Sequence, residues 1–171
     1  LYDFTFSDGQ NKTGNNAKFV REFWEVKKSN VGVDKKWLFY AKGGGYRKWY
    51  GNFDYVVNWK NDGEEIKTVA NIKYPYLKGN LGFVIGGQMY FFHQGITWSS
   101  ISSGKAAFRY FPNGFLFTNK GQAFFCNNID VSCRLMGFLN SIVSKSYLEM
   151  LAPTIGFEMG YVSKLPIKEY D

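Results

Sequence analysis

Six short stretches rich in aromatic and β-branched residues recur along this chain between turn-forming residues: Trp37 to Ala41, Phe53 to Trp59, Gln88 to Phe92, Ala107 to Phe111, Phe115 to Thr118 and Gln122 to Cys126. Branched and flat side chains suit a pleated, half-buried surface, so each stretch predicts a strand. Pro112-Asn113-Gly114 and Asn119-Lys120-Gly121 bracket Phe115-Leu116-Phe117 with tight-turn chemistry, which predicts a β-hairpin or meander there. Helical signals are fewer. Asn61-Asp62-Gly63 closes one strand, and Glu64 to Ile72 then reads as a short helix with two acidic residues in its first turn, where the helix dipole favours them. From about Val131 to Leu151, the apolar residues Val131, Leu135, Phe138, Leu139, Ile142 and Val143 recur at helical spacing and Pro153 follows. That pattern predicts one long helix packed on a sheet. The expected class is α+β: a single domain of mixed or antiparallel β-sheets with one long helix in its C-terminal half.

With 171 residues, 45% of them hydrophobic, the chain can bury one sizeable core and no comfortable second one. Residues 7 to 17 are small and polar and read as an opening loop, with order expected to begin near Lys18; residues 1 to 17 are thus a flexible or loop lead-in. The chain starts at Leu1 without an initiator Met and is expected to be a piece of something longer. Two cysteines seven positions apart, Cys126 and Cys133, do not make a disulfide framework, so a reducing, cytoplasmic setting is expected. No apolar run approaches the roughly 20 residues that span a bilayer as a helix.

The net charge of +7 is unevenly spread. Residues 18 to 48 hold nine basic groups against Glu22, Glu25 and Asp34, a local excess of +6 that suits a polyanion or simply a solvated face. Its C-terminal end runs into Lys42-Gly43-Gly44-Gly45-Tyr46-Arg47-Lys48-Trp49-Tyr50-Gly51-Asn52. Glycines let a main chain approach a phosphate or base edge, Arg and Lys neutralise phosphates, and Tyr and Trp offer flat faces with polar tips. A Gly-rich hairpin with snorkelling cations is the structural alternative.

Motifs for free-standing catalysis are missing. His93 is the single histidine, so neither a zinc site nor a His-based triad is supported, and His93 itself reads as a satisfied structural residue at a strand end. Gly104-Lys105 is followed by Ala106 and lacks the earlier glycine of a phosphate-binding loop. The triple glycine at 43 to 45 does not fit a dinucleotide fingerprint, because its third glycine would fall at Lys48. Glu64 and Glu65 are a helix start. No metal or cofactor is expected in this chain, which is read as non-catalytic.

Five segments together resemble the DNA specificity, or target-recognition, region that lies C-terminal to the methylase domain in adenine-specific DNA methyltransferases. They are Thr13-Gly14-Asn15-Asn16 with Phe19-Val20-Arg21 and Trp24-Glu25-Val26; Lys42-Gly43-Gly44 through Arg47-Lys48-Trp49-Tyr50-Gly51-Asn52; and Val57-Asn58-Trp59 with Asn61-Asp62-Gly63. The others are Gly95-Ile96-Thr97-Trp98-Ser99 with Phe108-Arg109-Tyr110, and Gly137-Phe138-Leu139-Asn140-Ser141 with Ala152-Pro153-Thr154 and Leu165-Pro166-Ile167. The likeness is to bacteriophage-exclusion (BREX, PglX-type) and type IIG restriction-modification proteins, with kinship to TaqI-type specificity domains and type I S subunits. It implies a specificity-domain fold, a prokaryotic restriction-modification or phage-defence setting, and a parent that methylates adenine N6 with S-adenosylmethionine. The Asn-Pro-Pro-Tyr type motif of the methylase step is absent, since Pro75, Pro112, Pro153 and Pro166 are all isolated. Whether the parent also cuts DNA stays open.

The resemblance implies double-stranded DNA as partner, alongside the parent's methylase domain and, for a basic face, a phage-encoded acidic DNA mimic. Arg47 and Lys48 are expected at guanine edges or phosphates, and Asn52, Asn15 and Asn16 at adenine. Lys42 with the amides of Gly43 and Gly44 would clamp phosphate. Thr97, Ser99 and Ser100 beside Trp98, with Ser102, Ser103 and Lys105, would form a second polar loop. Thr13, Gly14 and Asn15 suit a domain-starting turn as well as base contact, and an internal ion pair competes for Arg109. Burial is expected for Trp49, Tyr50, Trp59 and Trp98. Three rival functions share this composition: a carbohydrate-binding module, a single-stranded nucleic-acid binder stacking bases on Tyr46, Trp49 and Tyr50, and a protein-interaction domain.

Overall fold

The computed structural model describes residues 4–7, 11–102, 104–126 and 128–167. In chain order its elements are β1 (Phe4–Ser7), α1 (Asn16–Phe19), β2 (Val20–Glu22), β3 (Trp37–Ala41), β4 (Trp49–Tyr50), β5 (Tyr55–Asn58) and α2 (Lys60–Lys73), followed by three single-turn 3-10 helices. The second half holds β6 (Gly95–Ser99), β7 (Phe108–Phe111), β8 (Phe115–Phe117), β9 (Gly121–Cys126), α3 (Ile129–Leu139), α4 (Ile142–Leu151) and α5 (Met159–Val162). The strands form a five-stranded sheet in the order β1-β9-β6-β7-β4 and a four-stranded sheet in the order β2-β5-β3-β8. Pairing is antiparallel except for β4 with β7 and β3 with β8, which are parallel. The domain is therefore mixed α+β, as its pattern predicts.

The five-stranded sheet is the middle layer, and strand alternation makes it so. Along β9, Ala123 and Phe125 join one core with Leu38, Tyr40, Val57 and Leu116 of the four-stranded sheet. Phe124 and Cys126, pointing the other way, join a second core with Ile96, Trp98, Leu135, Leu139 and Leu148. Both faces of the sheet are covered, so β6 and β9 are buried along nearly their whole length. Trp98 is fully buried in the second core, and its indole N–H donates to Phe157 O at 2.7 Å, which removes the cost of hiding that donor.

Several sequence expectations need correction. The long helix over Val131 to Leu151 is two helices, α3 and α4, broken at Asn140-Ser141. The Asn140 amide leaves the helix to bond the β7 backbone, accepting from Phe108 N at 3.1 Å and donating to Phe108 O at 2.8 Å. Ser141 then caps α4 by accepting from Ser144 N. The apolar periodicity survives such a break because both helices pack on the same face of one sheet.

Gln88 to Phe92 is no strand: Gln88–Tyr90 is a 3-10 turn entered through Gly87 at positive φ. Its rings still pack inward, with Tyr90 stacked on Phe125 at 4.9 Å and Phe91 edge-on to Trp59 at 5.4 Å. His93 is exposed beyond that turn instead of lying satisfied at a strand end. The hairpin around Phe115 to Phe117 does not form either. The Pro112-Asn113-Gly114 turn carries the chain from the five-stranded sheet into the four-stranded one, where β8 pairs in parallel with β3. The opening stretch also contains an edge strand, β1, paired with β9. Glu64 to Ile72 is helical as expected; Asn61, Asp62 and Gly63 precede it in left-handed geometry.

Candidate nucleic-acid interface

The Gly-rich run is a loop held from below. Ser99 Oγ donates to Gly44 O at 2.8 Å, and the Asn52 amide donates to Gly45 O at 2.9 Å. Arg109, on β7, donates to Ser99 Oγ at 3.0 Å, to Ala107 O at 3.2 Å and, more weakly, to Arg47 O at 3.5 Å. Lys48 Nζ reaches across to Asn140 O at 2.7 Å, tying the loop to the break between α3 and α4. Strands β6 and β7 and this helix break therefore shape the loop.

Backbone strain concentrates in the same place. Gly43, Gly44, Trp49, Gly51 and Asn52 all have positive φ, and Trp49, at 73°, is a bulky residue in a region that L side chains avoid. At Gly51 a Cβ would stand 2.5 Å from Arg47 Cδ, so only glycine lets the Arg47 stem fold back against the loop. Gly121 performs a similar service at the base: a Cβ there would lie 2.3 Å from Ala41 O and 2.7 Å from Gly43 N.

This support leaves Tyr46, Trp49 and Tyr50 at 56%, 51% and 59% exposure, around an exposed Arg47. The expected burial of Trp49 and Tyr50 is thus corrected, because their short strand β4 is the edge of its sheet; Trp59 and Trp98 are buried as expected. Tyr50 keeps one edge contact, with Phe53 at 4.8 Å.

Arg109 is 1% exposed, and among the described residues no carboxylate lies within ion-pair distance to form the competing internal ion pair. Its Nε also lacks a hydrogen-bond partner. Burial, with the nearby Arg47 charge, pulls its pKa down to about 10.

The other expected site residues divide clearly. Asn52 is buried and committed to the loop, Thr97 Oγ donates to Gln122 O, and Ser99 and Ser100 are buried. Lys48 is committed to Asn140 O. Base or phosphate contacts are the roles expected of Asn52, Lys48, Thr97 and Ser99; here all four side chains make hydrogen bonds within the fold. Asn15 caps α1 by accepting from Lys18 N, while Thr13 donates to Asn16 Oδ1 at 2.6 Å. Gly43 is buried at the loop base and Gly44 is exposed above it. Lys105 is exposed and meets Tyr46, Lys48 and Lys145 around one shallow depression. Ser103 lies outside the described residues.

Thr13, Asn16 and Lys42 lie elsewhere, on a separate cleft of about 310 Å³ with Lys12, Lys73 and Lys120. Sequence reasoning misses this grouping because its lysines come from four distant segments. It also misses the strut role of Arg109, although a charged residue in the apolar strand Phe-Arg-Tyr-Phe is a visible signal. Among the described residues, no cluster of His, Cys, Asp or Glu is arranged to hold a metal ion, and no helix is long and apolar enough to cross a membrane.

Against known proteins, the chain is 42% identical over 169 residues to the adenine-specific methyltransferase PglX of Lacticaseibacillus casei (strain Zhang), covering 91% of this chain and 13% of that protein. It is 34% identical over 166 residues to the adenine-specific methyltransferase BrxX of Escherichia coli O9:H4 (strain HS), covering 93% of this chain and again 13% of the relative. Both relatives are adenine-specific methyltransferases. This chain is similar to one segment of each, and it spans about 13% of their length. No family model matches the sequence.

Proposed function

We propose that this chain is the duplex-recognition module of a site-specific adenine-N6 DNA methyltransferase acting in restriction-modification or phage-exclusion defence. The observation that carries the proposal is the braced loop: Arg47, Tyr46, Trp49 and Tyr50 stand exposed on a backbone fixed by Ser99, Asn52, Arg109 and Lys48. A recognition surface gains from such preorganisation, because less conformational freedom is lost when DNA arrives. Arg47 is the group suited to a bidentate guanine contact, and the nearby Lys105 and Lys145 to phosphates that set register. The similarity to adenine-specific methyltransferases supports the substrate class. In the parent, S-adenosylmethionine would serve the methylase domain. Extruding the target adenine costs a few kcal/mol, and this module would hold the flanking duplex and select the sequence.

The test is selection of this chain on a randomised duplex pool at low and moderate salt, with Arg47→Ala in parallel. An enriched short motif that relaxes at one position in the variant is the expected result, with a loss of roughly 1 to 3 kcal/mol at that base. Equal retention of all duplexes by both proteins would refute base reading by Arg47. The exposed ring trio favours one second reading, stacking on single-stranded nucleic acid. A single strand that outcompetes its duplex would select that reading.

A further inference from the structure

The cleft apart from the loop has a composition that its own fold does not explain. Lys12, Lys42, Lys73 and Lys120 line it, with no carboxylate residue on its walls among the described residues. Among the described residues, none of the four lies within ion-pair distance of an acid. Their contacts are weak ones. Lys12 lies 5.5 Å from the Phe83 ring centroid and Lys42 4.5 Å from that of Tyr55, while Lys73 approaches Gly14 O at 3.5 Å. Four like charges around one cavity repel one another, and an anion between them reverses the sign of that interaction.

A second, independent feature sits on the same cleft. Asn11 lines it at 2% exposure, and neither Nδ2 nor Oδ1 of its side chain makes a hydrogen bond. The backbone around it is satisfied, since Tyr40 Oη donates to Asn11 O at 2.9 Å. An amide left with both its donor and its acceptor unused, away from water, is costly unless something completes it. Asn11 lines the cleft, so a ligand seated at its floor is placed to complete that amide. Tyr74 adds a half-buried ring to the wall.

We propose that this cleft binds a nucleotide, its phosphate among Lys12, Lys42, Lys73 and Lys120 and its base edge against the Asn11 amide. An asparagine amide offers adjacent donor and acceptor atoms, the complement of adenine N6 and N7. The volume of about 310 Å³ suits one nucleotide and not a duplex. The ligand has two sources with the same chemistry, a free nucleotide or one unit of a DNA strand drawn into the cleft. The site does not depend on duplex reading by the loop, and Arg47→Ala is expected to leave it intact.

The test is titration of the isotope-labelled chain with dAMP, with deoxyadenosine and with a short single-stranded oligonucleotide, following backbone amide signals. dAMP is expected to shift Lys12, Thr13 and Asn119, and deoxyadenosine to bind far more weakly. The double variant Lys73→Ala/Lys120→Ala should weaken dAMP by about tenfold or more, the effect of losing two charge-assisted contacts. Displacement of dAMP by the oligonucleotide identifies a DNA strand as the source, and failure to displace it identifies a free nucleotide. Asn11→Leu, which removes an unbonded amide, should keep or raise the melting temperature while weakening dAMP. No shift with either phosphorylated ligand, unchanged dAMP affinity in the double lysine variant, or deoxyadenosine binding as tightly as dAMP would overturn the proposal.

Discussion

Replacing Arg109 with methionine should change the loop far more than the fold. The guanidinium gives three hydrogen bonds, two of them well formed, to Ser99 Oγ and Ala107 O, and a long one to Arg47 O. Hydrogen bonds from a charged donor are worth about 1.5 to 3 kcal/mol each, so their removal alone would cost on the order of 4 kcal/mol. Against this stands a cation at 1% exposure without an acid partner among the described residues. Burial, with the Arg47 charge, lowers its pKa to about 10, which corresponds to about 3 kcal/mol of opposition to the charged form. Methionine fills much of the same space without that penalty. The two contributions nearly cancel, and global stability should move by no more than about 2 kcal/mol. The loss is instead local, because the variant removes the donor to Ser99 Oγ, which keeps its bond to Gly44 O, and the donor to Arg47 O. Urea denaturation should therefore give a midpoint close to the parent's, while hydrogen exchange at Gly45 to Lys48 accelerates by about tenfold or more, the equivalent of a single lost bond of about 1.4 kcal/mol. Duplex affinity should fall with it. Unchanged exchange in the loop, or exchange that rises only in step with global unfolding, would refute the strut argument.

Three further outcomes follow from the same contacts. Asn140→Ala strands both the N–H and the C=O of Phe108 in the core, and a loss of about 2 to 4 kcal/mol is expected in chemical denaturation. Gly121→Ala pushes a methyl group against Ala41 O and Gly43 N, so a fall of about 1 to 3 kcal/mol should appear as a lower urea midpoint at unchanged slope. Burial holds the Tyr40 phenol above its ordinary value of 10.0. Above about pH 10 the unfolded chain releases this proton while the folded chain keeps it, so the contribution of Tyr40 to stability falls as pH rises. Tyr40→Phe should flatten that decline, measured as denaturation midpoints at about pH 9 and pH 11.

The class of the fold was legible because strand signals are local. Aromatic and β-branched residues between turn residues located β3, β5, β7, β8 and β9 to within a residue or two, and acidic residues at Glu64 and Glu65 marked the regular part of α2. Strand pairing was not legible. The turn after Phe111 looks like a hairpin in one dimension, yet β8 leaves for the other sheet, because partner choice depends on which face each strand must bury. The same limit explains the helix: apolar spacing continues through Asn140-Ser141, and only the nearby Phe108 backbone reveals that Asn140 is needed outside the helix.

The run 42 to 52 announced itself by composition, and its exposed Arg47 and rings are the part that composition could identify. Its support could not be found that way. Lys48, Asn52, Thr97 and Ser99 have the chemistry of contact residues, and in the structure they donate to the carbonyls of Asn140, Gly45, Gln122 and Gly44. Residue type sets which bonds a side chain can make. Which bond it makes depends on the polar groups that folding brings within about 3 Å, and those come from segments far apart in the chain.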